Sequence, residues 1–181
     1  MSRIPTPATV AAAPAAARPL LDGVQKSLGS VPNLFRLLAT SPAALGGYLG
    51  LSGELAKGAL DAATRERIAL AVAEFNGCGY CLAAHSFIGA RVAKLDAAEI
   101  AANRAGRSND RKADAAVRFA VAVTEARGRI GEADLAAVRL AGWSDAEILE
   151  IVAHVALNTL TNYVNEVAGT AVDFPPVARA A

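Results

Sequence analysis

The residues of this sequence best suited to chemistry are Glu66, Cys78, Cys81 and His85, all in one stretch. On an α-helix each residue advances roughly 100°, so Cys81 falls about 60° from Cys78 and His85 about 20° from it. The three side chains therefore share a face. Sulfurs at i and i+3 can reach disulfide distance with modest adjustment. His85, one turn beyond Cys81, is within reach as a base or imidazolium partner. Asn76-Gly77 interrupts the preceding segment and sets Cys78 in a first helical turn, where unpaired amides and the helix dipole favour an anion. That position lowers a thiol pKa and favours Cys78 as the more acidic cysteine. A thiolate attacks a peroxide O–O bond and becomes a sulfenic acid, which a second cysteine converts to a disulfide. The first step needs a base and the leaving alkoxide needs an acid. His85 and a nearby carboxylate can fill both roles.

Other uses of the same residues have weaker patterns. Two cysteines can simply be small buried apolar groups. Zinc could take Cys78, Cys81 and His85, with Glu66 or His154 as a fourth ligand, but structural zinc usually draws on two separated pairs. Glu66 alone would pass for a carboxylate favoured by a helix N-terminus. Glu74, four residues before Cys78, is read as structural, and Tyr80 as a packing residue whose hydroxyl can touch the site. A polar stripe of His154, Asn158, Thr161, Asn162 and Asn165 lies within about 100° on the last helix. No Lys or Arg falls between residues 151 and 165. A solvated helix face would normally carry charges, so the stripe is expected to line the cysteine pocket or a subunit interface.

The elements that must position these groups are all helical by pattern. A first helix is expected around Leu20–Leu28, with Ser30-Val31-Pro32-Asn33 as a turn. Ser41 caps and Pro42 opens a helix over 43–57. Asp61 caps a helix over 62–75, and the next runs over 78–93 from the cysteines. Asp96 and Glu99 resemble a capping box before a short helix ending near Arg104. Helices over 111–127 and 132–140 stop at Gly128 and Gly142. Ser144 and Glu147 form a second capping box before a long helix reaching about Val167, closed by Gly169 and Pro175-Pro176. The stretches 61–73 and 145–156 share a capped, acidic, Ala/Val-rich pattern, as two related helical hairpins would. No strand alternation or hairpin turn competes.

Composition sets the outer bounds. The chain has 181 residues, with 18 Lys and Arg against 17 Asp and Glu, a net charge of +1. The length fits one domain, expected over 29–176, with a partly flexible tail over 1–28 and a C-terminal tail over 177–181. Charge near zero removes the electrostatic reason to expect nucleic-acid binding. No apolar run is long enough and free enough of breaks to span a membrane. The Ala/Pro-rich stretch from Thr6 to Ala17 lacks the apolar core of a signal peptide. Two cysteines spaced as C-x-x-C close too short a loop to staple a fold, and in a cytoplasmic protein they indicate redox or metal chemistry.

The pattern Glu66-x11-Cys78-x2-Cys81-x3-His85 resembles the signature of the AhpD-like alkylhydroperoxidases of the carboxymuconolactone decarboxylase superfamily. Val31-Pro-Asn-Leu-Phe and Thr161-Asn-Tyr-Val-Asn165 are similar to its peroxidase-related branch. The likeness spans roughly residues 30–176. It implies an all-α helical bundle, usually trimeric or hexameric, with the site buried near subunit contacts. It also implies thiol-dependent hydroperoxide reduction with electrons from a lipoyl or thioredoxin-like dithiol, and no metal, flavin or haem. Carried over by position, Cys81 would be the peroxidatic thiol, Cys78 the resolving one, and Glu66 with His85 the proton relay. The family order and the dipole argument thus disagree on the two cysteines. Tyr80 stands where some members carry a second His. The alternatives are a disulfide or lipoyl oxidoreductase using the same dithiol, a zinc-stabilised non-enzymatic module, and a decarboxylase-like enzyme on the same fold, the last disfavoured because decarboxylases of the superfamily lack the cysteine pair.

Overall fold

A computed structural model describes residues 2–177; Met1 and residues 178–181, most of the expected C-terminal tail, lie outside the described residues. The described residues form nine α-helices and no strand. They are α1 Arg18–Leu28, α2 Asn33–Leu38, α3 Pro42–Leu55, α4 Ala62–Phe75, α5 Gly79–Arg91, α6 Ala97–Arg104, α7 Arg111–Ala126, α8 Glu132–Leu140 and α9 Asp145–Ala168.

The centre is α4. Residues Ile68 to Ala73 are buried without interruption. A helix apolar all round must be enclosed on all sides, and α4 packs on α5, α6, α7 and α9. Small residues at Ala69, Ala71 and Ala73 leave room for those neighbours to approach. Two apolar clusters result. One joins Ile68 and Val72 to Phe119, Trp143, Ile148 and Ile151 from α7, α9 and the turn between α8 and α9. The other surrounds the cysteines with Leu21, Leu34, Leu38, Leu45 and Leu82 from α1, α2, α3 and α5.

Side-chain caps fix most helix starts. Ser41 accepts from the Ala44 amide, Asp61 from Thr64, and Asp110 from Ala113. The Ser144–Glu147 capping box is complete. The expected box at Asp96 is only half formed. Asp96 accepts the Glu99 amide, but the Glu99 carboxylate turns away to Arg67 Nε at 2.7 Å and Ser108 Oγ at 2.5 Å. A half-buried cation outcompetes the local amide.

Two regions differ from sequence expectation. The short helix α2 starts at Asn33, the last residue of the expected turn, and runs over residues 34–38, where the pattern gave no element. Its start is held from outside: the Asn33 amide donates to Asp173 Oδ2 at 2.7 Å and the Leu34 amide to the Tyr80 hydroxyl at 3.2 Å. The N-terminal stretch also packs. Ala13 and Ala17 are buried, a 3-10 turn at Ala15–Ala17 leads into α1, and Ser2 Oγ donates to the Ala168 carbonyl at 2.9 Å. The similar stretches 61–73 and 145–156 form the N-terminal portions of α4 and α9, which pack on each other.

Candidate active site

The turn between α4 and α5 builds the cysteine pair. The Gly77 amide bonds the Glu74 carbonyl and the Cys78 amide bonds the Ala73 carbonyl at 2.9 Å. Gly77 takes a left-handed φ of +69°. This is a Schellman closure, and Gly adopts that conformation at no steric cost. The closure delivers Cys78 as the N-cap of α5, one residue outside the helix expected to begin with it. Its sulfur accepts the Cys81 amide at 3.3 Å, and the two sulfurs stand 2.6 Å apart. Capping, rather than a shared helical face, brings the sulfurs together.

Glu66 on α4 and His85 on α5 meet across the helix pair, His85 Nδ1 lying 2.9 Å from Glu66 Oε2. Burial alone would lower the His85 pKa, but the charge and hydrogen bond of Glu66 outweigh it and leave the imidazole raised. Cys81 is held below the usual thiol range. The hydrogen bond from the Cys78 thiol is the largest cause, opposed by burial and reinforced by the charge of His85 and by the amides of Asn165 and Asn162. Cys78 moves the other way. Its hydrogen bond to Cys81, its burial and the charge of Cys81 all hold its proton. These directions run opposite to the helix-dipole expectation, because Cys81 alone also faces His85 and the Asn165 amide while Cys78 is enclosed behind it.

Cys81, Glu66 and His85 line one cavity of about 460 Å³, and Cys78 lies behind Cys81 outside its lining. The polar stripe of α9 is a buried seam: His154, Asn158, Thr161, Asn162 and Asn165 are all buried. Its members part at the site. His154, Asn158 and Thr161 line the cavity. Asn165 Nδ2 donates to Cys81 Sγ at 3.3 Å, and Asn162 Oδ1 accepts from Asn76 at 2.9 Å. Tyr80 also lines the cavity and links three elements, accepting the Leu34 amide and donating to Asp173 Oδ1 at 2.8 Å. Burial raises its pKa. Glu74 is outside the site and pairs with Arg104 at 2.5 Å.

Sequence reading singled out neither Tyr48 nor Arg65. Tyr48 on α3 lines the cavity and is raised to about 12, by burial first and then by the charge of Cys81. Arg65 lines it while donating to the Leu60 carbonyl at 2.9 Å. Neither sits in a motif, and only the packing of α3 and α4 brings them to Cys81. Among the described residues, no three His, Cys, Asp or Glu side chains are grouped to hold a metal ion.

Residues 42–126 match the model of the carboxymuconolactone decarboxylase family. A structure described as an alkylhydroperoxidase AhpD core, an uncharacterized peroxidase-related protein from Ralstonia eutropha JMP134, superposes with a TM-score of 0.84 at 29% identity, covering 95% of this chain and 92% of that one. An uncharacterized peroxidase-related protein from Silicibacter sp. TM1040 gives a TM-score of 0.76 at 25% identity over 87% of this chain and 85% of that one. The debrominase Bmp8, in a cysteine-to-alanine variant bound to 2,3,4-tribromopyrrole, shares the fold at a TM-score of 0.78 and 20% identity, covering 93% of this chain and 90% of that one. No curated protein matches the sequence.

Proposed function

From the match of residues 42–126 to the carboxymuconolactone decarboxylase family and the AhpD-like fold of the described residues, we propose that the protein is a thiol-dependent hydroperoxidase. One observation carries the reading. Cys81 opens onto the cavity with the Cys78 sulfur 2.6 Å behind it and the His85–Glu66 pair in the same wall. In the cycle, Glu66 and His85 take the Cys81 proton. The thiolate attacks the terminal oxygen of ROOH, an S–O bond forms, the O–O bond breaks, and ROH leaves with the proton from His85. The Cys78 thiol then displaces water from the Cys81 sulfenic acid and forms the disulfide. A dithiol donor returns two electrons and two protons.

Burial bears on both partners. Cys78 is 0% and Cys81 3% exposed, so a small peroxide entering the cavity reaches the pair more readily than a folded protein's disulfide does. The same limit favours a slender lipoyl arm over a thioredoxin-like domain as donor. A cytoplasmic setting would keep that donor reduced. None of the described helices is long and apolar enough to cross a membrane.

Self-association is part of the reading. Leu149, Val152, Leu160, Tyr163 and Val167 are exposed on α9. Their spacing puts them on one stripe, suited to a second copy of the chain in a trimer or hexamer.

Thiol titration tests the cycle. One equivalent of cumene hydroperoxide should remove both thiols of the wild-type chain and none in Cys81→Ser. In Cys78→Ser it should leave a sulfenic acid that dimedone traps. Retention of both thiols in the wild type would overturn the reading. Reaction with a disulfide but not with the peroxide would leave a dithiol oxidoreductase.

A further inference from the structure

One wall of the Cys81 cavity is not helical. After Gly169, the left-handed C-cap of α9, residues 171–177 run without helix or strand, and Phe174 among them lines the cavity. The Phe174 ring stands between the depth of the cavity and its mouth. It meets the buried Tyr80 edge-on with centroids 5.8 Å apart, and lies 6.0 Å from Phe87, which is 40% exposed. Val92, also in the lining, is exposed beyond it.

This strap is lightly held. Asp173 carries most of its attachment: Oδ2 accepts the Asn33 amide at 2.7 Å and Oδ1 accepts the Tyr80 hydroxyl at 2.8 Å. The Ala171 carbonyl accepts Asn33 Nδ2 at 2.8 Å. Of residues 171–177, Phe174 and Val177 are half-buried and the others exposed. A segment with few buried apolar contacts, held by hydrogen bonds next to water, opens at far lower free energy than packed helices do. The facing walls on α5 and α9 are of the second kind, with Tyr80, Ala84, Leu157 and Asn158 all buried. Hinges sit at the ends of elements, and Gly169 ends α9 at the root of the strap.

We infer that residues 171–177 are a hinged wall of the Cys81 cavity, latched by Asp173 on Asn33 and Tyr80, and that Phe174 selects by cross-section the reactant that meets Cys81. With the latch closed, a slender reactive end passes Phe87 to the sulfur. With the latch open, Phe174 leaves with the strap, and branched or multi-ring reactants enter. Asp173 and Phe174 are thus specificity-determining residues, and both lie outside the stretch that matches the family model. The inference rests on the proposed function only for the identity of the reactant.

The test uses two reagents with one reactive group, iodoacetamide and N-(1-pyrenyl)iodoacetamide, on the reduced full chain. Alkylation of Cys81 is read by peptide mass spectrometry. Relative to free glutathione, wild-type Cys81 should favour the slender reagent at least about fiftyfold. Phe174→Ala and Asp173→Ala should each cut that preference at least about fivefold, through faster reaction with the pyrenyl reagent, while the iodoacetamide rate stays within about threefold. A second measurement needs no variant. In the wild type, the Asn33 amide, which the latch holds, should exchange its hydrogen at least about a hundredfold faster than the amides of residues 82–89 in α5. A wild-type preference no greater than that of glutathione, a preference unchanged in both variants, Cys81 unreactive in all three chains, or an Asn33 amide protected as strongly as those of α5 would each overturn the inference. No readout uses peroxide, so a missing peroxidase activity and a missing hinged wall are told apart.

Discussion

Cys81 and His85 are displaced in opposite senses by each other and by their neighbours. The Cys81 pKa is lowered, chiefly by the Cys78 hydrogen bond. Stability tied to its thiolate is present above the unfolded thiol pKa and is lost as pH falls through the folded value. The His85 pKa is raised: burial opposes the rise, and Glu66 more than offsets it. Stability tied to the imidazolium is complete below the unfolded value and is lost as pH rises through the folded one. The rate of peroxide reaction should therefore fall on the acid side as Cys81 takes up its proton, and on the alkaline side as His85 loses its own. His85→Gln should move the acid limb to higher pH and reduce the rate by about 10²-fold or more. Stopped-flow thiol oxidation from acid to alkaline pH measures both. An unmoved acid limb would mean that His85 does not support the thiolate.

Among the elements, α6 shows how one side chain holds helices in place. The Glu99 carboxylate takes Arg67 from α4, Asn103 from its own helix, and Ser108 and the Asn109 amide from the loop before α7. Burial alone would raise its pKa, but these hydrogen bonds bring it from 4.5 down to about 2. The contribution is complete above the unfolded value and disappears as pH falls toward about 2. Glu99→Gln should cost roughly 3 kcal/mol in urea melts at neutral pH, because it leaves the Arg67 charge without its partner. Near the folded pKa of Glu99 the wild type and the variant should converge. An equal loss at neutral and acid pH would show that shape, not charge, matters at this position.

At the scale of the whole molecule, α9 is the helix with two lives. Its inner stripe is polar and buried against the site, while its outer stripe is apolar and exposed. If the outer stripe joins copies of the chain, Leu160→Glu and Tyr163→Glu should together reduce the mass measured by light scattering to that of a monomer. The single substitutions should raise the concentration at which assembly occurs. A wild-type chain that is already monomeric would remove self-association from the proposed function.

The sequence by itself determined the helices with strong local signals. Ser41, Asp61 and Ser144 each place an oxygen where the first amides of a helix need one, and those starts stand in the structure. It also determined the chemical set of Glu66, Cys78, Cys81 and His85, because one turn and two adjacent helices bring these residues together. The rest depended on long-range contact. The helix α2 has little local support and starts where Asp173 and Tyr80 meet its amides. The spacing brings the two sulfurs together, but the groups that favour Cys81 over Cys78 as the acidic one, His85 and the Asn165 amide, meet it only in the packed fold. Tyr48 and Arg65 reach the cavity only through the packing of α3 and α4 against the site. Periodicity and capping act over a few residues and can be read along a chain. A cavity is bounded by side chains distant in sequence, so its walls, and the electrostatics inside them, exist only once the helices have packed.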